Sequence, residues 1–132
     1  MKKMNNKGFS LVELIVVIAI MAVLVGVLAP QFIKYVESSR RSTDISNAQN
    51  IQSAVLADIA EGAISGTTTT SALTLAPGTP TAMSEVPVIK GNKVSSPSWD
   101  VSYNAASGTC TVHIGAYDLT TASGASSYKQ ND

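Results

Sequence analysis

The sequence predicts an α+β protein in which a long amino-terminal helix, hydrophobic in its first half and amphipathic in its second, packs on a small antiparallel β-sheet. Two observations carry this. A run of 21 residues, Phe9 to Ala29, is almost wholly apolar and is followed by a stretch with helical spacing of apolar positions. Near the other end, two short segments alternate apolar and polar residues and are separated by a turn-forming sequence.

The apolar run is long enough to cross a bilayer, which takes about 20 residues as a helix. A carboxylate, Glu13, stands near its start, and no basic residue lies between Phe9 and Lys34. An acid in lipid costs roughly 2.5–3.5 kcal/mol near a helix centre and less toward an end, so its partner is expected from outside this segment. That partner is another molecule, or a new amino terminus made by cutting the chain just upstream. Lys2, Lys3 and Lys7 place the segment before the run on the cytoplasmic side.

Pro30 removes one backbone donor and crowds the preceding turn, so a kink or a locally melted segment is expected from Gly26 to Pro30. Beyond it, Ile45, Ala48, Val55, Leu56 and Ile59 form a stripe about 100° wide, with Gln52 interrupting it and Ile51 at its edge. Gly62 and Gly66 mark the helix stop. The helix from Phe9 to about Glu61 would measure near 80 Å at roughly 1.5 Å per residue.

Gly66 to Ser71 is polar without apolar period, and Pro77-Gly78-Thr79-Pro80 is a turn cluster; both are read as surface loop. Trp99, Val101 and Tyr103 alternate with polar neighbours, as do Cys110, Val112 and Ile114. These are two strands of a hairpin turning across Asn104 to Gly108. Val86 to Ile89 is a third candidate, demoted to an edge by Pro87. Backed by the helix stripe, such a sheet becomes stable where two strands alone would be marginal. Trp99 is expected against the stripe near Val55 and Ile59.

Catalysis finds no support, and the chain is read as a non-enzyme without cofactor or metal. The single histidine, His113, and single cysteine, Cys110, fall on opposite strand parities, which disfavours a Cys-His nucleophilic pair. Cys110 is expected as a buried small hydrophobe and His113 as an exposed strand residue. Asp100 and Asp118 are isolated carboxylates, too few for a calcium cage. Three of the nine basic residues are Lys2, Lys3 and Lys7, and from Phe9 onward six basic stand against nine acidic residues, a net of −3, so no nucleic-acid site is evident.

The string Lys7-Gly8-Phe9-Ser10-Leu11-Val12-Glu13, followed by the apolar run and Pro30, resembles the amino terminus of type IV pilins and their relatives. Basic leader, Gly, aromatic residue, polar residue, two apolar residues and Glu match in place over roughly the first 40 residues. The resemblance implies a leader at 1–8, a membrane and filament-core helix at 9–33 and a globular domain at 34–132. It implies cleavage between Gly8 and Phe9 by prepilin peptidase, methylation of the Phe9 amino group, and Glu13 as the assembly charge. An assembly ATPase, a membrane platform protein and self-association into a homopolymer are the implied partners. The subunit would pass from the cytoplasmic membrane to a cell-surface filament serving motility, adhesion or biofilm formation. A pseudopilin of a type II secretion or DNA-uptake system shares this terminus, and a membrane-anchored binding module is the alternative of another class. With one cysteine, the chain departs from relatives that close a carboxy-terminal loop with a disulfide. A secretory signal peptide cut after Val27-Leu28-Ala29 would place Pro30 after the scissile bond and leave Glu13 without purpose. A plain signal anchor leaves Gly8 and Glu13 unexplained.

Overall fold

A computed structural model describes residues 10–70, 83 and 85–130. The chain divides into two units, one ending at Val36 and the other running from Glu37. Helix α1 (Leu11–Ala60) contributes to both. Strands β1 (Thr67–Thr70), β2 (Trp99–Asn104), β3 (Thr109–Ile114) and β4 (Tyr117–Asp118) follow, then helix α2 (Ala122–Lys129).

In the first unit, α1 is helical without interruption through Gly26 and Pro30, so of the two expected forms, kink or melted segment, the melted one is not seen. Proline deletes the one bond that residue 30 would give to the Gly26 carbonyl. The turns on either side are built from apolar residues that keep their own bonds, and one missing rung does not unwind them.

In the second unit α1 buries Glu37, Arg41, Asp44, Ala48, Ile51, Val55 and Asp58. These positions are spaced by alternating fours and threes, one face of the helix. Ile51, placed at the stripe's edge from the sequence, is fully buried at its centre, while Ile45, Leu56 and Ile59 flank it half-buried. The stripe therefore lies slightly rotated from its expected position and extends into charged residues toward Glu37. At the far end the helix closes as predicted. Gly62, at φ +78°, adopts the left-handed conformation that glycine accepts without a Cβ penalty. Its N–H reaches the Ile59 carbonyl at 3.1 Å, and the Ala63 N–H reaches Asp58 at 2.9 Å.

The sheet is antiparallel throughout in the order β1-β2-β3-β4, and with α1 it forms the expected α+β arrangement. The β2–β3 hairpin is in the register that the alternation implies, with Val101 opposite Val112 and Tyr103 opposite Cys110. Its turn is held by the Asn104 side chain, whose Oδ1 accepts from the amides of Ala106 and Ser107. Trp99, Val101, Cys110, Val112 and Ile114 point into the core shared with Ala48, Ile51 and Val55. Trp99 is buried there, and its indole N–H donates to the Pro87 carbonyl at 2.8 Å. It shares that core with Val55, and Ile59 packs against the same cluster.

Four elements differ from the sequence reading. Val86 to Ile89 is not a strand; the segment runs irregularly, and the amides just after it, of Lys90 and Gly91, are taken by the Asp44 carboxylate at 2.8 and 2.7 Å. Thr67–Thr70, read as loop, is strand β1 paired with β2; β-branched threonine suits the extended backbone, and Thr67, Thr68 and Thr69 remain exposed. The remaining residues of that connection, including Pro77 to Pro80, lie outside the described residues. β4 and α2 were not foreseen. α2 is capped by Thr121, which accepts from the Gly124 amide at 3.2 Å, and is tied down by one fully buried side chain, Tyr128.

Strand β4 pairs with only the last two residues of β3. The Val112 carbonyl faces that side, where it takes the Leu119 amide at 2.9 Å. Carbonyls two residues apart on a strand face the same way. Cys110 therefore presents its carbonyl beyond the end of β4, and the Gln52 amide donates to it at 2.7 Å.

Candidate functional site at the helix entrance

Ser10 and Glu13 open α1 with a reciprocal pair of hydrogen bonds. The Ser10 amide donates to Glu13 Oε2 at 2.9 Å, and the Glu13 amide donates to Ser10 Oγ at 3.3 Å. The Ser10 carbonyl accepts the first helical bond, from Leu14 at 3.1 Å. This is a capping box, in which a hydroxyl and a carboxylate three residues apart satisfy donors that a helix start otherwise leaves unpaired. The carboxylate also stands at the positive end of the helix dipole. The sequence reading assigned Glu13 only to an outside partner. The signal for the local role, Ser-x-x-Glu directly before an apolar run, was present at Ser10 to Glu13.

Behind this cap the helix presents apolar side chains on every face. Leu11, Val12, Leu14, Ile15 and Val16, and onward to Phe32 and Ile33, are all exposed, between 49% and 72% for the large ones. Among the described residues α1 is the one helix long and apolar enough to cross a membrane. Gly26 has nothing within 4 Å of where a Cβ would sit, so its own chain imposes no need for a small residue there. Gly8 and Phe9 lie outside the described residues.

The chemistry-bearing residues of the second unit are arranged differently from expectation in one respect. Cys110 is buried as predicted, and burial pushes its thiol up to about 11. His113 is half-buried on the opposite face of the sheet, and Asp100 and Asp118, read as isolated, stand opposite it on the two neighbouring strands. His113 Nε2 lies 3.9 Å from Asp118 Oδ2. Asp118 is otherwise occupied in capping Thr120, and Asp100 accepts from the Ser98 hydroxyl at 3.2 Å. Among the described residues no three His, Cys, Asp or Glu side chains converge as metal ligands would.

A denser polar cluster is buried where α1 meets the carboxy-terminal helix. Asp44 accepts from the Lys90 and Gly91 amides and from the Tyr128 hydroxyl at 2.7 Å. Arg41 donates to Glu37 at 3.0 Å, to the Gln130 carbonyl at 2.6 Å and to Asn92 Oδ1 at 3.2 Å. Glu37 also takes the Asn92 amide at 2.7 Å. Burial, then the hydrogen bond to Asp44, raises the Tyr128 phenol above the ordinary range. Every buried side-chain donor and acceptor among the described residues has a partner, which makes the cluster a fastening rather than a reactive centre.

Comparison with known proteins bears on the helix entrance. The family model of the prokaryotic N-terminal methylation motif matches residues 3–29. Prepilin peptidase-dependent protein A of Clostridium perfringens (strain 13 / Type A) is 40% identical over 77 residues, 58% of this chain and 55% of that protein. The chain thus spans about half the length of this relative. No solved structure matches the chain. With a capped glutamate leading an exposed apolar helix inside the matched segment, the chain carries a prepilin-type amino terminus bearing the prokaryotic N-terminal methylation motif.

Proposed function

We propose that the chain is the structural subunit of a type IV pilus, without catalytic activity of its own. Prepilin peptidase removes residues 1–8 between Gly8 and Phe9, and the Phe9 amino group is methylated. The subunit waits in the cytoplasmic membrane until an assembly ATPase and a platform protein lift it into a homopolymeric surface filament.

The observation that carries this reading is the exposed apolar surface from Leu11 to Ile33, opened by Glu13. Fully burying one Leu, Ile or Val is worth roughly 1.5–3 kcal/mol against water, so a surface of this extent needs lipid or other copies around it. Lipid supplies that cover before assembly and neighbouring helices supply it afterward, which makes transfer between the two reversible. Glu13 adds register. A carboxylate has about four acceptor sites, so one oxygen serves the Ser10 amide while capacity remains for the ammonium of an incoming Phe9. In a medium of low dielectric that pairing gains strongly, although desolvation takes back much of the gain.

The test is a strain whose only pilin carries Glu13→Leu. The variant is expected in the membrane and cut normally, with sheared filaments lost. Normal fibre yield by electron microscopy would overturn the charge-pairing mechanism. Long fibres outside the cell, rather than short ones confined to the envelope, separate a pilus from the pseudopilus that shares this terminus.

A further inference from the structure

From Glu37 onward the chain has five Lys and Arg residues, Arg40, Arg41, Lys90, Lys93 and Lys129. All five belong to three segments that meet at one carbonyl. Gln130 O accepts from Arg41 at 2.6 Å and from Lys93 Nζ at 3.0 Å, and Lys129 precedes it directly. The Lys90 and Gly91 amides are bound to Asp44, one turn along α1 from Arg40. None of the four strands carries a Lys or Arg. The two carboxylates in this corner, Glu37 and Asp44, are buried and engaged, whereas Lys90 and Lys129 are exposed and the Arg40 side chain is 55% exposed. Among the described residues, five cations and two carboxylates meet in this corner, and Lys93 has a partner beyond Gln130; Asn131 and Asp132 lie outside the described residues.

The corner is also close, along the chain, to the apolar run. Arg40 comes seven positions after Ile33, so connectivity alone keeps them within roughly 25 Å. Exposed Lys34 stands between. A headgroup layer is about 5–7 Å deep on each side of a bilayer, and its field extends about 8–10 Å further at physiological salt. The backbone at Lys90, Lys93 and Lys129 is fixed beforehand by the buried network around Arg41 and Asp44, so little ordering cost attends contact with a charged surface. On a second copy the sheet offers little to this corner, because Asp100 and Asp118 are already engaged with Ser98, Thr120 and His113; Glu61 and Glu85, exposed acids of the same unit, lie apart from the sheet at single positions.

We propose that Arg40, Lys90, Lys93 and Lys129 form a binding surface for the headgroups of anionic phospholipids, which holds the globular unit against the membrane before assembly. This rests on the membrane-held subunit argued above. Each lysine near an anionic surface is worth roughly a fivefold change in partition, so the group discriminates between charged and neutral lipid.

The experiment uses the full chain reconstituted in phosphatidylcholine vesicles, with spin-labelled phosphatidylglycerol or spin-labelled phosphatidylcholine as probe. Electron spin resonance reads the share of each probe immobilised by the protein. We expect a severalfold preference for phosphatidylglycerol at low salt, collapsing toward one at about 0.5 M, where the screening length falls to a few ångströms. Lys90→Gln/Lys93→Gln/Lys129→Gln should lose most of the preference while Lys34→Gln keeps most of it. Lys2, Lys3 and Lys7 are common to all these proteins and cancel in the comparison. An unchanged thermal unfolding curve for the triple variant confirms its fold. No preference, or one that survives the triple substitution, would overturn the proposal. Salt-sensitive self-association in pure phosphatidylcholine that the triple substitution abolishes, without lipid preference, would overturn it in favour of a second copy. Protein that fails to float with alkali-washed vesicles would overturn the membrane reading and the lipid proposal together; protein that floats without selectivity overturns the latter alone.

Discussion

The Tyr128 hydroxyl donates to the Asp44 carboxylate at 2.7 Å across 84 residues of sequence, with both side chains sealed from solvent. Tyr128 also sets its ring against Tyr117, centroids 5.6 Å apart at 60°. A carboxy-terminal helix of small polar residues is thereby held to α1 without a disulfide. Tyr128→Phe keeps the ring and removes the bond, and a hydrogen bond to a charged group is worth about 1.5–3 kcal/mol. Chemical denaturation should show a loss in that range. Asp44→Ala should cost more, since the Lys90 and Gly91 amides then also lose their acceptor.

Gly91 lies beneath the same cluster. A Cβ there would sit 2.5 Å from the Tyr128 hydroxyl, 2.8 Å from Asp44 Oδ2 and 3.0 Å from Arg41 Cγ. All three groups are pinned by their hydrogen bonds and cannot yield without breaking them. Gly91→Ala should therefore destabilise by about 1–3 kcal/mol, the usual cost of overpacking. A melting temperature equal to the parent's would show that the loop has room to shift.

Trp99 anchors β2 in the core and reaches Pro87 with its indole N–H. Trp99→Ala should cost roughly 3–5 kcal/mol, the range for truncating a buried aromatic. Trp99→Phe, which also loses the N–H donor to Pro87 but keeps a ring in the core, should cost less, and the difference between the two reports the packing of the ring.

Alkaline pH should weaken the second unit through two groups. Burial raises the Cys110 thiol from 9.0 to about 11, and Tyr128 is raised from 10.0. A raised folded value means that the neutral form is favoured in the fold. The stabilisation is complete below the unfolded value and is lost as pH rises past it, beginning near pH 9 for the thiol and near pH 10 for the phenol. Denaturation midpoints measured from pH 8 to 11 should fall, and Cys110→Ala should flatten the first part of that fall.

Processing offers a test independent of stability. Gly8→Leu puts a branched side chain at the scissile junction, where close approach of the backbone favours glycine. The precursor should accumulate uncut. An immunoblot at mature size, with Phe9 found at the amino terminus by mass spectrometry, would contradict the assigned cut.

Periodicity made some of this architecture legible and hid the rest. The apolar run, the β2–β3 hairpin and the stop at Gly62 each rest on local spacing, which the chain displays openly. The polar end of the buried face, Glu37, Arg41 and Asp44, was invisible because its burial depends on hydrogen bonds to neutral partners 51 to 89 residues distant at Asn92, Tyr128 and Gln130. β1 was missed because four threonines show no alternation, and α2 because its sequence, Ala-Ser-Gly-Ala-Ser-Ser-Tyr-Lys, has weak helix propensity and depends on Tyr128 for its place. At the helix entrance Glu13 was located by its charge, while its bond to Ser10 went unread although the motif was there.

The amide of Gln52 on the Cys110 carbonyl has a bearing on solubility. An uncovered strand edge is a template for pairing with another chain, and such pairing leads to disordered aggregates. Beyond the end of two-residue β4, one side chain from α1 occupies the acceptor that a stray strand would seek first. At that position the margin of the sheet is chemically satisfied from within the chain.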